Sequence, residues 1–196
     1  MKLKDVANIR TGLPLFRKKS APYQSNISYK QLTLKSFSKS IKVNPSTLDD
    51  FLSIDEINEN YLTKEGDVVV RLRKPSTAVY IDKINQGAII SSLMTVIRLN
   101  NANIDNKFLA HYLNSSTVQK VFSIASEGTT IPMIGIKDIM ALDIVFPPLE
   151  QQHKIVETMN LLYQQQDILE EMQSKKKIYT QGVLNTIIQQ LQGEKL

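Results

Sequence analysis

The sequence has no cysteine, so neither a disulfide nor a thiolate metal site is open to it. Its two imidazoles, His111 and His153, are too few for a histidine-rich zinc or iron centre, and both lie in helical stretches where surface or packing roles suit them. The seven glycines include no G-x-G pair and no G-x-x-x-x-G-K-[ST] loop. That removes the usual dinucleotide and phosphate cradles, and with them the cofactor loop of a methyltransferase. Phe146-Pro147-Pro148-Leu149 lacks the amide with which an Asn-Pro-Pro-Tyr-like motif holds a target amino group, and Asp105-Asn106-Lys107 reads as a helix start rather than a nuclease metal site. No run of eighteen apolar residues is present, and Met1-Lys2-Leu3-Lys4-Asp5 does not resemble a signal peptide. These absences predict a non-catalytic, cytoplasmic chain with no membrane partner, no metal and no cofactor of its own.

Charge is unevenly spread along the 196 residues. The net charge of +5 permits a polyanionic partner without requiring one. Residues 1–42 hold ten bases and one acid, residues 43–67 hold one base and seven acids, and residues 68–100 hold five bases and one acid. Positive potential therefore belongs to the first hundred residues. Within them Arg17, Lys18, Lys19, Lys30, Lys35 and Lys39 are placed to neutralise phosphates, with Tyr23 set among them. Arg71, Arg73 and Lys74 close an apolar run beside a turn that contains Ser76. Guanidinium groups bridge guanine O6 and N7, so the arginines suit base reading and the lysines suit backbone grip. The same charges equally fit a merely solvated face. Thr129 and Thr130 suit a phosphate contact or a plain turn, and Lys175-Lys176-Lys177 reads as a solvated helix face.

The apolar pattern predicts an α+β chain: a small, mixed or antiparallel β-rich domain with flanking helices over 1–147, then one long coiled-coil-type helix over 148–196. Residues 3–9 form a helical or extended opening before the turn Thr11-Gly12-Leu13-Pro14. Loop and short strands follow over 16–42, with a capped helical turn at 53–57. Residues 68–72, 77–81, 88–91, 94–99 and 142–146 are rich in β-branched or apolar residues and read as strands. From Asp105 the period lengthens: Phe108, Leu109, Tyr112 and Leu113, then Val118, Val121, Phe122 and Ala125, predict helices, and 136–140 a shorter one. After Pro147-Pro148 the seam Ile155, Met159, Leu162, Leu169, Tyr179, Val183, Ile187 and Leu191 recurs at heptad-like spacing. A helix so long cannot satisfy that seam alone, which predicts another helix against it.

An ordered set of motifs then carries a resemblance. Leu3-Lys4-Asp5-Val6-Ala7 with Thr11-Gly12, Glu65-Gly66-Asp67-Val68-Val69-Val70, Phe108-Leu109-Ala110-His111-Tyr112-Leu113-Asn114-Ser115 and Glu127-Gly128-Thr129-Thr130 with Ile136 occur in that order. Leu142-Asp143-Ile144-Val145-Phe146-Pro147-Pro148-Leu149-Glu150-Gln151-Gln152-His153 and Gln181-Gly182-Val183-Leu184 complete it. Together they resemble the target-recognition domain and spacer helix of a type I restriction-modification specificity subunit. Full-length members carry two of each and this chain one, so the resemblance implies a half-length form, either natural or a fragment of a longer chain. It further implies double-stranded DNA as ligand, an antiparallel homodimer and docking of methyltransferase subunits, with a restriction subunit joined through them. S-adenosylmethionine, ATP and Mg would sit on those partners. The competing expectation is a protein-interaction adaptor that uses the long helix and binds no DNA.

Overall fold

The computed structural model describes residues 1–19, 27–37, 40–127 and 132–193. The chain divides into two compact units, Met1–Val156 and Glu157–Leu196. The first is built on a four-stranded antiparallel sheet in the order β1 (Ala7–Thr11), β6 (Met94–Leu99), β4 (Val68–Arg71), β5 (Ala78–Tyr80). A separate two-stranded antiparallel ribbon joins β2 (Ile27–Gln31) to β3 (Asp49–Ser53). Val68-Val69-Val70 is apolar without alternation because β4 is internal and covered on both faces. Val68 and Val70 join a core with Leu109, Leu113, Phe122 and Ile139, contributed by α1 (Asn106–Leu113), α2 (Ser116–Ala125) and α3 (Ile136–Ala141). Val69, with Val79, Met94 and Val96, packs against Leu32, Val43, Ile81 and Ile90 on the other face.

The motifs owe their residues to local constraints. A Cβ at Gly12 would fall on the Ile90 and Ser91 carbonyl oxygens, and Gly66 turns the chain at φ +89°, so both positions demand glycine. Asp67, 1% exposed, accepts two hydrogen bonds from Arg98, at 2.7 and 2.6 Å, which ties the turn before β4 to β6. Asp105 accepts from the Phe108 amide at 2.7 Å and caps α1, as its position predicts. Asn114 behaves as a borrowed strand. Its amide donates to the Ala78 carbonyl at 2.8 Å and accepts from the Ala78 N–H at 2.7 Å, saturating the outer edge of β5.

Three predicted elements differ. Residues 53–57 form no helical turn: Ser53 ends β3, and its hydroxyl donates to the Asp55 carbonyl instead of capping a helix. Residues 88–91 make isolated bridges, Ile89 to Gln31 and Leu62, and Ser91 to Leu13, because the chain passes between neighbours rather than along one. Residues 142–146 take their strand-like backbone pairing from the amino-terminal residues, through Leu3 N–H to Leu142 O at 3.0 Å and Ile144 N–H to Met1 O at 2.9 Å. A partner so short supports a bridge and no strand.

α4 (Leu149–Gly193) runs 45 residues, about 68 Å at 1.5 Å per residue. Its first two turns belong to the first unit, where Gln152 is 0% exposed. The Gln152 amide donates to the carbonyls of Asn103 (3.0 Å) and Pro147 (2.8 Å) and accepts from the Asp105 N–H (2.8 Å). Gln152→Ala leaves those three partly buried groups without their partner, a loss of about 1–2 kcal/mol expected in urea unfolding. A wild-type midpoint would show that the contacts are dispensable.

His111, 7% exposed on α1, has its pKa lowered from 6.5 to about 4 by burial, with the Asp105 charge opposing the shift. The unfolded chain takes up this proton near pH 6.5, whereas the folded chain waits until about pH 4. The unfolded state therefore binds more protons in that window, and stability falls as pH drops through it. Subtracting the pH–stability curve of His111→Gln from that of the unchanged chain isolates this component. A flat difference between pH 6.5 and 4 would refute it.

Candidate nucleic-acid interface

The predicted contact residues fall into two groups, and no hydrogen bond or ion pair among the described residues joins them. The first surrounds the β2–β3 ribbon. Here the acidic block lies beside the basic one: Lys30 on β2 meets Asp50 on β3 at 2.7 Å, in register, and Lys18 meets Asp55 at 2.9 Å. Lys35 lies 3.8 Å from Asp49. These exposed pairs add little stability, but they cancel much of the positive field that the linear charge count places there. Arg17 and Lys19 have no carboxylate partner among the described residues. The Arg17 guanidinium lies over the Phe16 ring, 5.3 Å from its centroid.

The second group sits where β4 leaves the sheet. Arg71 ends β4 and donates from Nη2 to the Lys74 carbonyl at 3.0 Å, which folds the turn back on itself. The Arg73 backbone forms an isolated antiparallel bridge with Met133. The Lys74 ammonium donates to Ser123 Oγ on α2 at 3.0 Å, and Lys74, Pro75, Ser76, Gln119, Phe122 and Ser123 line a shallow hollow of about 360 Å³. Ser76 is 2% exposed and its hydroxyl turns inward to the Leu72 carbonyl, so it holds the turn rather than facing outward. Arg71, Arg73 and Lys74 form no ion pair with a carboxylate among the described residues. They are three such cations within four residues.

Tyr23, Lys39, Thr129 and Thr130 lie outside the described residues. Ser123 fixes the Lys74 ammonium from forty-nine residues away and is missed by sequence reasoning, because a serine in a helix carries no local signal. Among the described residues no group of three or more His, Cys, Asp or Glu could hold a metal ion, and no helix is long and apolar enough to cross a membrane.

On α4 the predicted seam lies open in the isolated chain. Ile155, Leu162, Leu169, Tyr179, Val183, Ile187 and Leu191 are exposed, and Met159 is half-buried. Leu161, Ile168, Ile178, Leu184 and Ile188 widen the apolar surface. Lys175 spends its charge on Glu171 one turn back, at 2.7 Å, in keeping with a solvated face.

The fold recurs in solved structures. It is similar to a chain of a type I R-M system solved to show its complex assembly and conformational transition, with TM-score 0.66, 18% identity and 89% of this chain covered. It is similar to the HsdS subunit of Thermoanaerobacter tengcongensis, with TM-score 0.65, 19% identity and 89% covered. A third likeness is to the type I S subunit of M. genitalium, with TM-score 0.54, 17% identity and 84% covered. At these identities the likeness is one of fold. The chain spans 44%, 44% and 38% of those three chains, less than half of each. No curated protein matches it. The model of the type I restriction modification DNA specificity domain matches residues 1–180, the whole first unit and most of α4, and the chain belongs to that family.

Proposed function

We propose that this chain is the sequence-specific DNA recognition subunit of a type I restriction-modification complex, working in the cytoplasm without catalysis of its own. Residues 1–147 form the target-recognition domain and residues 148–196 the spacer helix. The observation that carries this is the family match, which runs without interruption from the domain into a helix whose apolar residues are unpartnered. S-adenosylmethionine, ATP and Mg belong to the methyltransferase and restriction subunits that such a chain docks. One recognition domain of this kind reads half of a divided target. Two copies joined through antiparallel helices read an inverted repeat with a fixed gap, since a two-fold pair presents the same reader at each end.

Within the domain, Arg71 and Arg73 suit base edges because their guanidinium groups are uncompensated, while Lys74 and Lys19 suit phosphates. Arg71→Ala with Arg73→Ala removes about 1–3 kcal/mol of discrimination per lost base contact, measured as the ratio of affinities for target and scrambled duplexes. Lys19→Ala lowers affinity for both and reduces the salt slope by about one. An arginine variant with undiminished discrimination places base reading elsewhere.

Sedimentation equilibrium of the full chain at micromolar concentration shows a dimer, and Leu169→Asp with Val183→Asp returns it to a monomer while the circular dichroism of the first unit persists. A monomer in the unchanged chain excludes unaided self-pairing, and absence of any duplex binding at low salt favours the adaptor role.

A further inference from the structure

We infer that Phe16 is an apolar wedge that stacks against a base step of duplex DNA, with the Arg17 guanidinium seated behind it. This rests on the DNA-recognition reading above and adds a specificity-determining side chain to it. Residues Leu15–Arg17 form a single 3-10 turn. Leu15 packs inward against the cluster of Phe51, Ile57 and Ile89, which directs the next side chain outward. Phe16 is 77% exposed.

The turn that presents it is braced on both sides. The Lys18 N–H donates to the Leu15 carbonyl at 3.0 Å, the Ile54 N–H donates to the Lys18 carbonyl at 3.0 Å, and the Lys18 ammonium meets Asp55 at 2.9 Å. An aromatic ring held outward on a braced turn loses little further freedom when it binds.

The chemistry around the ring selects an anionic, π-rich partner. Residues 15–19 carry three cations and no carboxylate. Arg17 lies over the ring at 5.3 Å, so one π face carries a guanidinium and the remainder is open to solvent. Nucleobases stack on aromatic side chains and on guanidinium planes, and apolar wedges enter base steps where duplexes are kinked. The hollow beside Phe16 includes Asp49 and Asp50 in its lining, yet Lys35 and Lys30 face those carboxylates, so they do not present a bare negative wall to phosphates. Pyrimidine–purine steps, which open most easily, are where such a wedge enters.

The chain has no tryptophan, so Phe16→Trp installs a unique fluorescent reporter at the tip. The probe is a duplex selected by the unchanged chain from a random-sequence pool, followed by anisotropy and by tryptophan emission in one titration. Stacking quenches the emission by about half or more as the duplex saturates, with both signals giving the same Kd, and the Trp variant binds as tightly as the unchanged chain. Phe16→Ala binds about tenfold more weakly with an unaltered salt slope, because an apolar contact and no phosphate contact has been removed. Full binding by anisotropy with unchanged emission, or an Ala variant of undiminished affinity, overturns the wedge and leaves DNA recognition standing. Failure of the unchanged chain to select or bind any duplex overturns both.

Discussion

The buried amide of Gln152 is the contact on which the architecture turns. A fully covered amide must have its donors and acceptor met, and here they are met by the Asn103 and Pro147 carbonyls and the Asp105 N–H. Asp105 in turn caps α1, whose Phe108, Leu109 and Leu113 close the core over β4. One side chain thereby ties the first turns of the long helix, the start of α1 and the loop after β6 into one network. The network joins residues on both sides of Pro148, and the compact unit that holds it runs to Val156.

Charge in the domain is arranged by neutralisation as much as by accumulation. The acidic block of residues 43–67 forms β3 and its flanks, where it faces lysines of the basic block across the ribbon. Arg71, Arg73 and Lys74 at one turn, and Arg17 beside Phe16, form no ion pair with a carboxylate among the described residues. A DNA reader gains from this economy, because diffuse positive charge grips every sequence alike, whereas discrimination needs a few donors or rings held in fixed positions. On the proposed reading, Ser123 holding Lys74 and the brace under Phe16 are fixtures of that kind.

The long helix has the opposite design. From Leu169 onward its described apolar side chains are exposed, and a single helix of that composition gains nothing by exposing them. That exposed seam is the surface on which the proposed helix pairing rests.

Much of this is legible in the order of residues. Apolar periodicity locates the long helix, the start of α1 at Asp105 and the central strand β4, because those depend on interactions within a few residues. It misjudges 53–57, 88–91 and 142–146, where the outcome depends on whether a partner strand happens to lie alongside. The basic residues are equally visible, yet their pairing is not: Lys18 and Asp55 are thirty-seven positions apart, and Lys74 and Ser123 forty-nine. The helices, the charge inventory and the family thus follow from the linear chain, since local periodicity and ordered motifs are properties of neighbouring residues. Which cations stay uncompensated, and that Phe16 stands outward, were settled by the fold alone, because neutralisation and exposure depend on residues brought together from afar.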